Sequence, residues 1–168
     1  ATPYLCKPID HGADIVVHSL TKYIGGHGTT IGGIIIDSGT FPFKDNPRFP
    51  QFNTPDPSYH GVVYAEALEA PFIGRARVVP LRNMGAALSP FNAFLILQGL
   101  ETLALRMERH VENALEIANY LNNHDQVSWV NYAGLPADRY HELSKRIVSG
   151  KPSSIISFGI KGGEKAGA

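Results

Sequence analysis

Apolar positions in this chain fall first into short runs and then, past the middle, into helical spacing. Residues 13–17 form a small-to-β-branched run ending in polar residues, the pattern of a buried strand, and residues 32–37 repeat it after a glycine-dense stretch. Residues 38–61 place Pro42, Pro47, Pro50, Pro55 and Pro57 among Phe and Asn, too many breakers for a helix or a central strand. They predict a long ordered loop of the kind that is functional or packs on a neighbour. Residues 62–72 are rich in helix formers and predict a short helix ended or kinked at Pro71. Ser89 is placed to cap a further helix, with Pro90 in its first turn, and the run from Phe91 to Gly99 is apolar on most sides and expected to be buried. A longer helix follows. Leu103, Met107, Val111, Leu115, Ala118 and Leu121 make one stripe, with Arg106, Arg109, Glu112, Glu116 and Asn119 largely off it, and the pattern ends near Asn122 and Asn123. Beyond it come a strand at 127–132, a helix at 139–148 and a strand at 153–161. This shift to short units reads as the opening of a second domain, with the boundary inside the long helix near residues 110–125.

The composition narrows the class. With 168 residues, 43% hydrophobic and 10% aromatic, the chain can bury a core as one domain or slightly more, which excludes disorder and collagen-like repeats. Fifteen Lys and Arg balance fifteen Asp and Glu, so no global field draws it to nucleic acid or to an anionic membrane. No stretch approaches the apolar length of a membrane span. Charged residues make up 18%, below the roughly 25% usual for soluble domains, which predicts a surface partly covered by another subunit or by further chain. The single cysteine, Cys6, cannot form an intrachain disulfide and is expected to be a structural thiol in an intracellular protein. The chain starts without Met and stops directly after a strand-like segment, so it is expected to be a piece of a longer protein.

The seven histidines include no pair at helical ligand spacing, so no metal site is expected. Gly26, Gly28, Gly32 and Gly33 fit neither the dinucleotide fingerprint nor a phosphate loop. They are expected to let backbone pass close to its neighbours. The chemistry concentrates at Ser19, Thr21 and Lys22, directly after the first strand. Two hydroxyls spaced by two lie on one side of an extended segment. Hydroxyls hold a phosphate, and a lysine in a partly desolvated pocket becomes a nucleophile toward an aldehyde. Pyridoxal phosphate offers both groups. A lysine after a strand is more often a solvated end, so this tetrapeptide gains weight only from its surroundings.

Those surroundings are specific. Residues 1–8 (ATPYLCKP) and 12–28 (GADIVVHSLTKYIGGHG), followed by Phe49-Pro50-Gln51-Phe52-Asn53, residues 55–61 (PDPSYHG), residues 88–94 (LSPFNAF), residues 98–103 (QGLETL), Arg106 and His110, resemble the Cys/Met-metabolism pyridoxal-phosphate enzymes over nearly the whole chain. The long path between the lysine region and the Ser-Pro-Phe helix is similar to the sulfhydrylase branch of that family rather than its lyases and cystathionine synthases. The resemblance implies an α/β fold-type I transferase, a mostly parallel sheet flanked by helices. Residues 1–115 would be the later part of the cofactor domain and 116–168 the start of a small α+β C-terminal domain. It implies pyridoxal 5'-phosphate as cofactor, Lys22 as the Schiff-base lysine and Ser19 and Thr21 as phosphate-binding hydroxyls. The aspartate that pairs with the pyridine nitrogen would fall just upstream of Ala1, and the arginine for the substrate carboxylate would also lie outside the chain. The implied activity is γ-replacement on O-acetyl-L-homoserine by sulfide or a thiol, giving homocysteine or methionine, in a cytoplasmic homo-oligomer built as a dimer of dimers. The alternatives are a cystathionine γ-lyase or γ-synthase, and a paralogue that keeps the fold without catalysis. Phe41, Phe43, Phe49, Phe52 and Tyr59, in the proline-rich excursion, are expected at a subunit interface; the competing expectation packs them on their own domain.

Overall fold

A computed structural model of the chain describes residues 2–167, so Ala1, at the head of the first matched segment, and Ala168 lie outside the described residues. The chain forms two compact units: Pro8–Gly99, and the segments on either side of it. The domain division expected between residues 115 and 116 falls inside a helix, whereas the compact units part ahead of that helix.

In the first unit a 3-10 turn at Pro8–His11 leads into β1 (Ile15–Ser19), which pairs with β2 (Gly33–Asp37). The pairing is antiparallel, with Val17 opposite Ile35 and Ser19 opposite Gly33. The mostly parallel sheet expected from the resemblance is therefore not what the described strands make. A parallel pair needs a crossover of a dozen or more residues, usually a helix laid on the sheet. Here residues 20–32 hold a single helical turn and then double back. Both strands were expected to be buried, and this too is corrected. Val16 is buried, but Val17 is 70% exposed and Ile34 and Ile35 are exposed, because a two-stranded ribbon has most of its surface open unless other elements are laid on it.

The proline-rich excursion is ordered by its own contacts. Phe43, Phe52 and Tyr64 are buried together, ringed by Phe41, Phe49, Tyr59 and Phe72. Ring centroids lie 4.4 Å apart for Phe43 and Phe52 and 4.6 Å for Phe41 and Phe43, the last pair tilted rather than face to face, as ring quadrupoles favour. The short helix α1 (Pro50–Asn53) places Asn53 at the centre of the backbone accounting. Its Nδ2 donates to Phe43 O at 2.8 Å and Phe49 O at 3.1 Å, and its Oδ1 accepts from Asp45 N at 2.8 Å. The aromatic residues expected at a subunit interface thus pack on one another, which favours the competing expectation.

Residues 62–72 do not form one helix. Helix α2 (Tyr64–Ala67) is a single turn, and Pro71 opens α3 (Pro71–Ala76) at its first position instead of ending the run before it. The helix continues through a π turn at Arg77–Leu81 and α4 (Arg82–Met84) to a left-handed cap at Gly85, φ 67°. Pro80 sits inside the π turn, whose widened ladder tolerates a residue with no N–H. Helix α5 (Pro90–Glu101) starts as expected, with Ser89 Oγ accepting from Asn92 N at 3.2 Å. Its burial does not follow expectation. Only Ile96 and Gly99 are buried, whereas Phe91, Phe94 and Leu97 are exposed.

The second unit is built on α6 (Leu103–Asn122), which buries Leu103, Met107, Val111, Ala114 and Ala118. Leu115, expected on that stripe, is exposed. At about 100° per residue, a stripe centred between Met107 and Val111 has Ala114 within it and Leu115 at its edge. Strands β3 (Val127–Asn131) and β4 (Ser157–Ile160) pair antiparallel, with an irregularity between Val127 and Trp129. Between them runs α7 (His141–Val148), and a last turn, α8, spans Glu164–Gly167. Ala114 and Ala118 pack with Tyr132 and Leu135, and the buried Tyr132 hydroxyl donates to Ser153 O at 2.8 Å. Burial pushes the Tyr132 phenol up from its ordinary value. Residues 2–7 belong to this unit: Tyr4 Oη and Lys151 Nζ both donate to Glu108 Oε1.

Candidate functional site

The three residues singled out for chemistry stand in one turn at the end of β1. Ser19 closes the strand in an extended conformation (φ −75°, ψ 113°), and its hydroxyl makes no capping bond, which leaves it for another acceptor. The chain then enters a π turn, Leu20–Ile24, closed by Gly25 N donating to Leu20 O at 2.8 Å. Lys22 departs from helical dihedrals (φ −92°, ψ −126°), so the turn is kinked at the lysine, and its side chain is exposed.

Thr21 is tied to the residue just before β2. Its Oγ1 accepts from Gly32 N at 3.0 Å and lies 3.3 Å from Gly32 O, while Leu20 N donates to the same carbonyl at 2.9 Å. A hydroxyl has two acceptor sites and one proton. The short bond uses an acceptor site, and the proton is committed only to a long contact. Thr21 is thus oriented by Gly32 with its donor open to a better acceptor. A hydroxyl free of capping, a pre-oriented hydroxyl and an exposed amine on one turn form a donor set that fits a phosphate beside an aldehyde.

The glycines of the following loop act as close-approach positions. A side chain at Gly25 would put its Cβ 2.7 Å from Leu20 O, and one at Gly32 would put it 2.8 Å from Ile96 Cδ1. Gly99, in α5, lies against Gly25 so closely that a Cβ there would stand 2.6 Å from the Gly25 carbonyl carbon. Sequence reasoning named the loop but missed Ile96 and Gly99. The one available signal was a glycine in the interior of an otherwise strong helical run, which costs about 1 kcal/mol against alanine and needs a reason.

Other candidates stay apart from this turn. A cavity of about 520 Å³ in the first unit is lined by Phe41, Phe43, Phe49, Phe52, Phe72 and Arg75 with the residues that lead into β1, the end of the strand away from Lys22. His27 and His141 have backbone partners, Nδ1 lying 2.8 Å from Gly25 O and 3.1 Å from Ala133 O respectively. Among the described residues no group of three His, Cys, Asp or Glu side chains could hold a metal ion, and no helix is long and apolar enough to cross a membrane. Cys6 is a half-buried free thiol.

Comparison with known proteins agrees with this geometry. The profile of the Cys/Met metabolism PLP-dependent enzymes matches residues 1–168. The homocysteine synthase of Schizosaccharomyces pombe is 54% identical over an alignment of 162 positions that covers 95% of this chain and 38% of that protein. The O-acetyl-L-homoserine sulfhydrylase of Leptospira meyeri is 52% identical over a gapped alignment of 176 positions that covers 98% of this chain and 40% of that protein. A crystal structure described as an O-acetylhomoserine (thiol)-lyase of Campylobacter jejuni, carrying N'-pyridoxyl-lysine-5'-monophosphate, superposes with a TM-score of 0.90 at 45% identity. It covers 96% of this chain and 40% of its own. The fold class is therefore the fold-type I α/β one expected from the sequence, with both strand pairs of the described residues antiparallel, and the chain spans about two fifths of the length of these relatives.

Proposed function

The chain belongs to the Cys/Met metabolism PLP-dependent enzyme family, and from that premise we propose that the full-length protein is an O-acetylhomoserine sulfhydrylase. It replaces the acetate of O-acetyl-L-homoserine with sulfide or a thiol to give homocysteine or methionine. The observation that carries this reading is the turn at the end of β1, where Ser19, Thr21 and Lys22 follow one another in a chain about half identical to named sulfhydrylases and homocysteine synthases. When bound, pyridoxal phosphate supplies an electron-withdrawing ring that stabilises negative charge at the carbons to be deprotonated.

The remaining work falls to the protein. Lys22 Nζ would hold the cofactor at its aldehyde and, when free of it, would be the base that takes the substrate Cα proton and then serves the β-carbon. The Ser19 hydroxyl donates to the phosphate. Thr21 does the same at the cost of its long contact to Gly32 O only, while Gly32 N keeps it aimed.

Replacing Lys22 with Ala in the full-length protein removes both the visible absorption of the bound cofactor and turnover. A variant that kept full sulfhydrylase activity would overturn the assignment. Assays with cystathionine and with O-succinylhomoserine separate the lyase and γ-synthase readings, and a colourless full-length protein would favour a non-catalytic paralogue. The proposal includes a cytoplasmic location and a homotetramer, and the low charge fraction and the apolar residues exposed along α5 support the assembly. Light scattering that gave only monomer at micromolar concentration would remove that part of it.

A further inference from the structure

Helix α5 buries only two residues, Ile96 and Gly99, three positions apart on one face. Both meet the loop that follows Lys22. Gly99 lies against the backbone of Gly25, and Ile96 Cδ1 occupies the space a side chain at Gly32 would need. Gly25 and Gly32 are also the residues that hold the lysine turn. Gly25 N closes the turn by donating to Leu20 O, and Gly32 anchors Thr21 and Leu20. The atom that a Cβ at position 99 would strike first is the Gly25 carbonyl oxygen, which lies 2.8 Å from His27 Nδ1. A displacement of Gly25 therefore pulls on the hydrogen bond that encloses Lys22.

We infer that Ile96 and Gly99 are positioning residues for Lys22. By presenting bare backbone at position 99 and a single methyl at position 96, α5 fixes where the lysine turn sits at the end of β1. This inference rests on the cofactor role of Lys22 proposed above. The helix keeps a glycine in its interior because the loop backbone occupies the place of a side chain.

The test uses the full-length holoenzyme and apoenzyme with Gly99→Ala and, as a milder change, Ile96→Val, which removes Cδ1 and leaves the helix intact. An alanine in a helix interior ordinarily raises stability. Here the urea midpoint of the Gly99→Ala apoenzyme falls. In the holoenzyme the midpoint of the pH titration of the lysine-bound cofactor's visible absorption moves by about half a pH unit or more. Turnover drops about tenfold with KM within about threefold, and Ile96→Val shows the same pattern at a few-fold. A Gly99→Ala enzyme that is more stable than the parent overturns the inference. So does a loss of stability with the pH midpoint and kcat unchanged, which is packing alone. If Gly99→Ala does not fold, Ile96→Val decides: parental pH midpoint and kcat overturn it. Lys22→Ala distinguishes the two levels, since a Lys22→Ala enzyme that stays active refutes the function, whereas its loss beside unaltered Ile96 and Gly99 variants refutes only the positioning role.

Discussion

The proline-rich excursion and the lysine-bearing ribbon sit in the same compact unit and are both rich in apolar side chains, yet one closes on itself and the other stays open. In the excursion, Phe43 and Phe52 find partners within about thirty residues of chain, and Tyr64 is 1% exposed. In the ribbon and α5, Val17, Ile35 and Phe94 stay exposed among the described residues. Breakers and polar anchors such as Asn53 fold a loop back onto its own rings. A regular strand or helix carries its apolar face straight past its neighbours and needs another layer to cover it. Local closure makes the excursion the stable part, and the open faces accord with a chain that spans two fifths of its relatives.

The contrast is broken most directly at Phe43. Phe43→Ala removes the ring at the centre of the cluster and should cost about 3–5 kcal/mol by urea unfolding followed by circular dichroism. A loss below about 1 kcal/mol would mean the cluster is not a core. Ser89→Ala, at the start of the open helix, should cost about 1 kcal/mol and lower helix content, because Asn92 N loses its acceptor.

Tyr64→Phe probes the polar edge of the cluster. The Asp56 carboxyl accepts from the Ser58 hydroxyl and from Tyr64 Oη, and these bonds, the Ser58 bond first, hold it below its ordinary value. A carboxyl lowered on folding adds stability above its unfolded value of 3.8 and loses it as the pH falls below that. The parent should therefore exceed Tyr64→Phe in urea midpoint at pH 7, with the gap narrowing toward pH 3. A gap independent of pH would show that the bond is not to the ionised carboxylate. The smallest effect belongs to Val17→Thr. On an open face it should shift the stability of this chain by no more than about 0.5 kcal/mol, and a loss several times larger would show that the face is covered.

What the sequence made legible follows the same division. The α6 stripe was readable because a long amphipathic helix repeats its signal five times, and only Leu115 at its edge was misplaced in favour of Ala114. Ser89 announced the start of α5 through a local hydrogen bond. The exposure of α5 was not legible, since an apolar run says that a surface wants covering and not whether the covering is present. The antiparallel pairing of β1 with β2 was not legible, because it depends on the path of residues 20–32, which the apolar pattern does not encode. At the candidate site, Ser19, Thr21 and Lys22 were proposed because they lie together in a segment that resembles the family, and the structure keeps them on one turn. Ile96 and Gly99 lie more than seventy residues away and carry no chemistry of their own.

One feature of the second unit bears on the order of events during synthesis. Within this chain residues 2–7 are made before the first unit, but their partners, Glu108 on α6 and Lys151 beyond α7, emerge only after it. That unit is continuous in sequence and forms from what has already left the ribosome. That segment must wait, then close a loop of 104 residues between Tyr4 and Glu108. The closure penalty grows only logarithmically with loop length, and it falls if the first unit has already drawn the loop together. Vectorial synthesis therefore favours folding from the inside outward: the excursion and lysine turn assemble first, and the Tyr4–Glu108–Lys151 tie fastens last.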